Sequence, residues 1–219
     1  MPLLKTIALN DYTQLLVWKI TEPFNELFRS VALKDISLAR VESMKAESHQ
    51  KGFLSVRRLL IEAGYTDFDL YYDQSGKPYL NDGKHISISH SNEFSVLVLS
   101  DVIIGADLEI LKDKTLFIAP RYMDVSHLKN LNDDDALRKA TVVWGIKESV
   151  FKIKNEIGIS FKDHIFEKEF NLEDKKCTVE LRFENKTEYF DIVFDFIENY
   201  VFVCAFNSVP VGFASGEKK

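Results

Sequence analysis

One order of secondary-structure patterns occurs twice along the chain, and it restricts the possible folds more than any other feature. In each half, a strand-like run precedes connecting helical stretches and a long helix: LLVWKITE is followed by HQKGFLSVRRLL, and IIGADLEI is followed by WGIKESVFKIKN. Tandem duplication explains this order, and coincidence in an α+β chain is the alternative. Both explanations predict an α+β fold, and under duplication it consists of two similar halves, 1–101 and 102–219.

Alternating and helical periodicities predict the individual elements. A long amphipathic helix is expected to stop at Gly64, and a helical stretch is expected after Pro120. The clearest helical pattern begins at Asp133–Asp135, which we expect to supply the N-cap and to complement the helix dipole. Residues 175–207 read as three antiparallel strands with breaks at ENKTE and ENY, and 208–219 as a loose tail.

The overall composition argues against two classes of partner. The 219 residues carry a net charge of -6, whereas general nucleic-acid binding needs a basic surface. No apolar run is long enough to span a bilayer, and no signal peptide opens the chain. Cys177 and Cys204 lie in apolar alternating stretches and are expected to be buried, reduced thiols. These features predict a cytoplasmic protein that binds neither nucleic acid nor membrane.

The stretch HISISHS, residues 85–91, alternates like a half-buried strand. Ile86 and Ile88 would face one side, while the other side carries hydroxyl groups and an imidazole. An ordinary solvent-facing strand favours Thr, Lys or Glu instead. The row of small hydrogen-bonding groups therefore suggests a surface that binds a polar partner.

A second strand, within GADLEI, places Asp107 and Glu109 two residues apart and therefore on the same face. Two carboxylates at such a short distance repel each other unless a positive group lies between them. Mg²⁺ is the usual partner, and it favours carboxylates together with phosphate oxygens and water. A D-x-E pair taken alone is more often a solvated strand face.

The helical segment WGIKESVFK spaces Trp144, Glu148 and Lys152 at i, i+4 and i+8, so that they form one row. Glu148 lies between apolar positions, where a carboxylate could join a metal site and act as a general base. The alternative is a core tryptophan followed by a surface Glu–Lys pair. Lys77 follows a turn glycine in GKPYL, a position that carries no functional signal by itself.

Together, the motifs G-K-P-Y, H-x-S-x-S-H-S, G-A-D-L-E and W-G-I-K-E-S-V-F-K resemble the 4′-phosphopantetheinyl transferase superfamily. The likeness is greatest to the longer, single-chain type that activates surfactin synthetase and other carrier-protein systems. The motifs span residues 76–152. The resemblance implies that each half contains a small antiparallel sheet packed with helices, and that the active site lies in the cleft between the halves.

The resemblance also implies roles for individual residues. The metal ligands would be Asp107, Glu109 and Glu148, and the catalytic residues Glu148 and Lys152. Coenzyme A, the co-substrate, would be bound by Lys77, Pro78, Ser89, His90, Arg40 and Lys51. Relatives usually carry an arginine after the histidine equivalent to His49, whereas this chain has Gln50 there.

The implied reaction is Mg²⁺-dependent, with Mn²⁺ as a possible substitute. It transfers 4′-phosphopantetheine from coenzyme A to a serine of an acyl or peptidyl carrier protein and releases adenosine 3′,5′-bisphosphate. Because one chain contains both halves, a monomer is expected. The alternatives are a catalytically inactive carrier-binding relative, a different Mg²⁺-dependent phosphoryl-transfer enzyme, and a structural α+β interaction module.

Overall fold

The computed structural model describes residues 3–207, so the tail predicted at 208–219 lies outside the described residues. The first half contains six strands and three helices. They are β1 (Leu3–Asn10), β2 (Thr13–Lys19), α1 (Phe24–Arg29), α2 (Asp35–Ser43), α3 (Glu47–Glu62), β3 (Leu70–Tyr72), β4 (Pro78–Leu80), β5 (His85–Ser91) and β6 (Phe94–Ser100).

The described part of the second half, up to residue 207, contains five strands and one long helix among shorter ones. They are β7 (Ile104–Ile110), α4 (Asp113–Ile118), α5 (Asp133–Lys154), α6 (Phe161–His164), β8 (Ile165–Glu167), β9 (Lys176–Phe183), β10 (Lys186–Ile197) and β11 (Tyr200–Asn207). Short 3-10 helices occupy Ala119–Arg121, Val125–Leu128 and Leu172–Asp174.

The main sheets of the two halves share one pairing pattern. Their strand orders are β1-β2-β6-β5 and β7-β11-β10-β9-β8. In both, a strand that precedes the helices, β2 or β7, pairs antiparallel with the last strand of its half, β6 or β11. This last strand then pairs with the strand before it, β5 or β10. The structure confirms the α+β fold with two similar sheet-containing halves, while a domain boundary at 101/102 stays a prediction.

The two sheets pack face to face, with the long helices on their outer sides. Phe94, Val96 and Val98 of β6 share one buried core with residues of β11 that include Phe202. The intervening residue Leu97 belongs to a second core, together with α3. Because both of their faces are covered, these strands read as continuous apolar runs rather than as alternating patterns. Each fully buried large apolar side chain contributes about 1.5–3 kcal/mol, so this shared core holds the halves together.

The ends of the helices differ in part from the sequence-based expectations. The helix predicted after Pro120 is wrong: α4 ends before this proline, the proline lies within the 3-10 turn Ala119–Arg121, and only the 3-10 turn Val125–Leu128 separates it from α5. The Asp124 carboxylate accepts a hydrogen bond from the Ser126 N–H at 2.9 Å, a local bond that competes with regular helix. The N-cap of α5 is Asn132 rather than the aspartates, which occupy the first turn. The stop at Gly64 is confirmed, with a φ of 86°.

Three further features complete the comparison with the sequence. Strand β1 was not predicted. Cys204 is buried, as expected, whereas Cys177 is only half-buried, and both are free thiols. None of the helices within residues 3–207 combines the length and the apolarity that a membrane crossing requires.

Candidate active site

A cleft with a volume of about 390 Å³ lies between the two halves. Its walls come from α2, α3, the β3–β4 hairpin and β5 on one side, and from the start of β7 and the second half of α5 on the other. Six residues that the sequence singled out line it: Arg40, Lys77, Pro78, His90, Glu148 and Lys152. The two halves therefore bring motifs that are far apart in sequence to one cavity.

The side of the cleft formed by the second half depends on a very close approach of α5 to its sheet. A Cβ added to Gly105 of β7 would lie 2.0 Å from the Ser149 carbonyl oxygen of α5. One added to Gly145 of α5 would lie 2.6 Å from Cγ2 of Val203. At Gly105 the obstruction is helix backbone, and at Gly145 it is the Val203 side chain, so with Val203 present a side chain at either position would force the helix and the sheet apart.

Asp107 is a buried carboxylate at the point where the halves meet. Its Oδ1 accepts hydrogen bonds from Ser89 Oγ at 2.9 Å and from Lys152 Nζ at 2.8 Å. Its Oδ2 is buried and has no hydrogen-bond partner among the described residues 3–207. A buried carboxylate oxygen without a partner is energetically costly, and it therefore indicates a missing positive group.

Two further carboxylates lie near Asp107, and both are half-buried. The pKa of Glu109 is raised to about 7, first by burial and then by the neighbouring carboxylates of Asp107 and Glu148. The hydrogen bond that Trp144 Nε1 donates to Glu109 at 3.1 Å acts in the opposite direction and lowers this pKa. Burial and the Asp107 carboxylate raise the pKa of Glu148 as well. The site contains more negative charge than Lys152 compensates.

The chemistry of these carboxylates fits a divalent cation, although they are not arranged as a complete set of metal ligands. Within residues 3–207, no group of three or more His, Cys, Asp or Glu side chains is arranged so that it could hold a metal ion. However, Oδ2 of Asp107 has no partner among residues 3–207, and the pKa values of Glu109 and Glu148 are raised first by burial and then by the Asp107 carboxylate. Carboxylate oxygens are also the donors that Mg²⁺ prefers, with water or phosphate oxygens completing its coordination.

The polar face of β5 is used mainly to join the two halves. Ser87 Oγ accepts a hydrogen bond from the Ala106 N–H at 2.8 Å, and Ser89 Oγ donates to Asp107. Ser89, predicted to contact coenzyme A, therefore reaches the metal-site candidate rather than the lining of the cleft. The unusual row of small hydroxyl groups is explained by these contacts to β7.

His90 lies on the opposite face of β5 from Ser87 and Ser89, where it faces α3 and lines the cleft. A Cβ on Gly52 of α3 would be 3.0 Å from His90 Nδ1, so the imidazole packs against bare helix backbone. Enclosure by the cleft walls, followed by the nearby His49, Lys152 and Arg40, holds the pKa of His90 below its usual value. The cations around His90 make this part of the cleft favourable for binding an anion.

Arg57 is the cleft residue that the sequence analysis missed. It is 2% exposed and lines the cavity beside Arg40. Its Nε donates to Asp67 Oδ1 at 3.0 Å, and its guanidinium lies 3.4 Å from the centroid of the Phe53 ring. No motif marked it, because an arginine in an amphipathic helix usually faces solvent, and its partner Asp67 lies ten residues away.

Lys77 connects the β3–β4 hairpin to the end of α5. Its Nζ donates to the Ile153 carbonyl at 2.6 Å, and Asn155 Nδ2 donates to Ser75 Oγ at 2.5 Å beside it. Burial lowers the pKa of Lys77. Lys77 therefore lines the predicted pocket, but it is also a bridge between the halves.

Lys51 is half-buried and does not belong to the cleft lining among the described residues. The neighbouring Gln50 donates from Nε2 to the Val41 carbonyl at 3.1 Å, and this bond fastens α3 to the end of α2. On this side of the cleft, Arg40 and Arg57 supply the cations. The proposed role of Lys51 stays a prediction.

The fold and the site define a class: two similar α+β halves around a cleft, with cations on one wall and a helix-borne carboxylate and lysine on the other. Comparison with known proteins finds similarity to the 4′-phosphopantetheinyl transferase psf-1 of Bacillus pumilus. The chains are 29% identical over 92 residues, which are 40% of this chain and 39% of the relative. The match thus spans well under half of the curated relative's length. No family model matches the chain.

This similarity supports the 4′-phosphopantetheinyl transferase superfamily. It does not single out the type that activates surfactin synthetase.

Proposed function

We propose that the protein transfers 4′-phosphopantetheine from coenzyme A to a serine hydroxyl of an apo carrier protein. One observation carries the proposal: the cleft brings the cationic wall of the first half to the Glu148–Lys152 row of the second. An anionic substrate bound by the first half would therefore present its reacting bond to the second half. The similarity to a phosphopantetheinyl transferase supports the same reaction.

The first half would bind the nucleotide end of coenzyme A. Arg40 and Arg57 line this wall together with His90, and a protonated imidazole would make a charge-assisted hydrogen bond to the 3′-phosphate. Arg57 is held in place by Asp67, so its direction is set before the ligand arrives. We also place Lys77 and Pro78 in this subsite, with Lys77 leaving the Ile153 carbonyl to reach a phosphate.

Asp107, Glu109 and Glu148 would hold a divalent cation. When bound, Mg²⁺ or Mn²⁺ would neutralise the pyrophosphate charge of coenzyme A. The chain contributes the buried Asp107, whose Oδ1 is already oriented by Ser89 and Lys152 and whose Oδ2 is free to act as a ligand. Trp144 orients Glu109 through its indole N–H.

Transfer requires one proton acceptor and one source of positive charge. The carrier serine oxygen forms a bond to the phosphorus that bears pantetheine, and the bond from that phosphorus to the oxygen shared with the second phosphate breaks. The serine proton passes to Glu148, the carboxylate that lines the cleft and would act as the general base. Lys152 offsets the negative charge on the leaving phosphate of adenosine 3′,5′-bisphosphate.

The expected partners follow from this reaction. The co-substrate is coenzyme A, and the macromolecular partner is an acyl or peptidyl carrier protein. We propose a monomer, because the shared core joins both walls of the cleft within one chain. A cytoplasmic location agrees with the reduced cysteines expected from the sequence.

Mass spectrometry of the carrier tests the proposal directly. The protein is incubated with coenzyme A, Mg²⁺ and a panel of apo carrier proteins, and each carrier is weighed before and after. A gain of one phosphopantetheinyl group that requires the carrier's serine supports transfer. Carrier binding without any gain in mass would favour the inactive relative, and transfer of another phosphoryl group would favour a different phosphoryl-transfer enzyme.

A further inference from the structure

A buried ion pair attaches α5 to the elements on a side of the helix away from the cleft. Lys147 immediately precedes Glu148 and is 1% exposed. Its ammonium donates to the Glu167 carboxylate and to the Ile165 carbonyl, both in β8. The other Glu167 oxygen lies 3.4 Å from Nδ1 of His127, which belongs to the 3-10 turn at Val125–Leu128. The proposed reaction uses none of these groups.

The ion pair gives α5 a directional contact, which the apolar contacts of this helix do not provide. Hydrophobic burial holds a helix against a sheet but is not directional. Burying two charges costs free energy, and replacement of such a pair by apolar residues is often neutral or stabilising. A buried pair with directional hydrogen bonds therefore contributes orientation rather than net stability.

Orientation matters here because the catalytic row lies on the same helix. A helix with its side chains has a radius of roughly 5–6 Å, so a rotation of about 10° moves the Glu148 carboxylate by roughly 1 Å. A misplacement of about 1 Å can reduce a catalysed rate by about 10²-fold. The bonds from Lys147 to β8 oppose such a rotation.

We propose that Lys147 and Glu167 are positioning residues that set the rotation of α5 and thereby direct Glu148 and Lys152 into the cleft. This inference rests on the proposed function of the Glu148–Lys152 row. It assigns a role to the one charged residue of the helix motif that contacts neither the cleft nor the carboxylate cluster.

The test compares three variants in a Trp18→Phe background, where Trp144 is the only tryptophan and reports on the rotation of α5. Lys147→Met/Glu167→Met removes both charges, so that no buried charge is left unpaired. Glu167→Gln keeps the size and one acceptor oxygen. Lys139→Met is the matched control, since Lys139 is also a buried lysine of α5 and also donates to a carbonyl, that of Phe170. It lies far from the catalytic row.

We expect the double variant to melt within a few degrees of its parent and to bind coenzyme A with an unchanged Kd. Its kcat for carrier modification should fall at least about tenfold with little change in KM, and the Trp144 emission maximum should shift. Glu167→Gln should show a smaller loss in the same direction. Lys139→Met should keep the parental kcat and the parental emission.

A double variant with parental kcat and parental emission would overturn the proposal. So would a loss of kcat that merely follows the loss of folded protein and disappears at lower temperature. If the wild-type protein, assayed beside the Trp18→Phe parent, modifies no carrier, the proposed function fails instead. The emission of Trp144 then still decides whether the ion pair holds the helix.

Discussion

An alanine at Gly105 should separate the two parts of the proposed catalytic site, Glu148 on α5 and Asp107 on β7. The added Cβ would lie 2.0 Å from the Ser149 carbonyl oxygen and 3.0 Å from Cγ1 of Ile153, whereas real Cβ atoms essentially never approach other heavy atoms closer than 3.0 Å. The obstructing oxygen belongs to the helix backbone and cannot rotate away. We therefore expect α5 to move about 1 Å from β7, which carries Glu148 away from Asp107.

The size of the effect follows from this displacement. Overpacking of this kind costs about 1–3 kcal/mol of stability, which for a chain of this length lowers Tm by roughly 2–4 °C per kcal/mol. A shift of about 1 Å between catalytic groups reduces kcat by about 10²-fold. The Kd of coenzyme A should change little, because its nucleotide end would be bound by the first half. Thermal melts, calorimetric titration and initial rates of carrier modification measure the three quantities.

Gly145 supplies a matched comparison. Its added Cβ meets Cγ2 of Val203 at 2.6 Å, which is a side-chain methyl group rather than backbone. Gly145→Ala should therefore lower kcat, and Gly145→Ala/Val203→Ala should recover most of it. No side-chain truncation removes the Ser149 carbonyl, so Ser149→Ala should not rescue Gly105→Ala. If Gly105→Ala retained the parental Tm and kcat, the argument from close helix–sheet approach would be refuted.

Four other predictions follow from the same geometry. Glu148→Gln should reduce kcat by about 10²–10⁴-fold without unfolding the protein, because the general base is lost; retention of more than a tenth of the parental rate would contradict that role. Asp107→Asn should abolish Mg²⁺ binding in a calorimetric titration of the protein alone, and the reaction should stop in EDTA and resume with Mg²⁺ or Mn²⁺; unchanged Mg²⁺ binding would exclude Asp107 as a ligand. The pKa of His90 is lowered in the free protein, and a 3′-phosphate would raise it. Coenzyme A binding should therefore take up a proton and tighten as the pH falls through that raised pKa towards the lowered pKa of the free protein, whereas equal proton uptake with dephospho-coenzyme A would contradict this contact. Sedimentation should report a monomer of 25.3 kDa, and an obligate oligomer would show that one chain does not complete the cleft.

Local patterns were sufficient for much of the fold. Helical periodicity and a glycine stop predicted the end of α3, and alternation predicted β9–β11, because hydrophobic spacing is a property of neighbouring residues. The same reasoning failed after Pro120. There, the hydrogen bond from the Ser126 N–H to the Asp124 side chain competes with the helix that the apolar spacing suggests.

The candidate site was predictable where its residues lie a few positions apart within one strand or one helix. The spacing of Asp107 and Glu109 on a strand, and of Glu148 and Lys152 on a helix, marked side chains that lie close together in the fold. Of these four residues, Glu148 and Lys152 line the cleft. Arg57 was not predictable, since its function depends on Asp67 and on the ring of Phe53, and the sequence does not show that these groups meet. The contact between Ser89 and Asp107 was not predictable either, because it joins strands of different halves.

The sequence by itself determined which residues could carry the chemistry and predicted an α+β fold, because residue type and periodicity are local. It left duplication and coincidence open, and the strand orders of the folded chain showed the two similar halves. The tertiary structure decided which groups face one another. It placed Ser89 on a carboxylate instead of in the lining of the cleft, used Lys77 as a bridge to α5, and fastened that helix through Lys147 and Glu167. These pairings arise from the packing of sheets and helices that are distant in sequence, so only the folded chain reveals them.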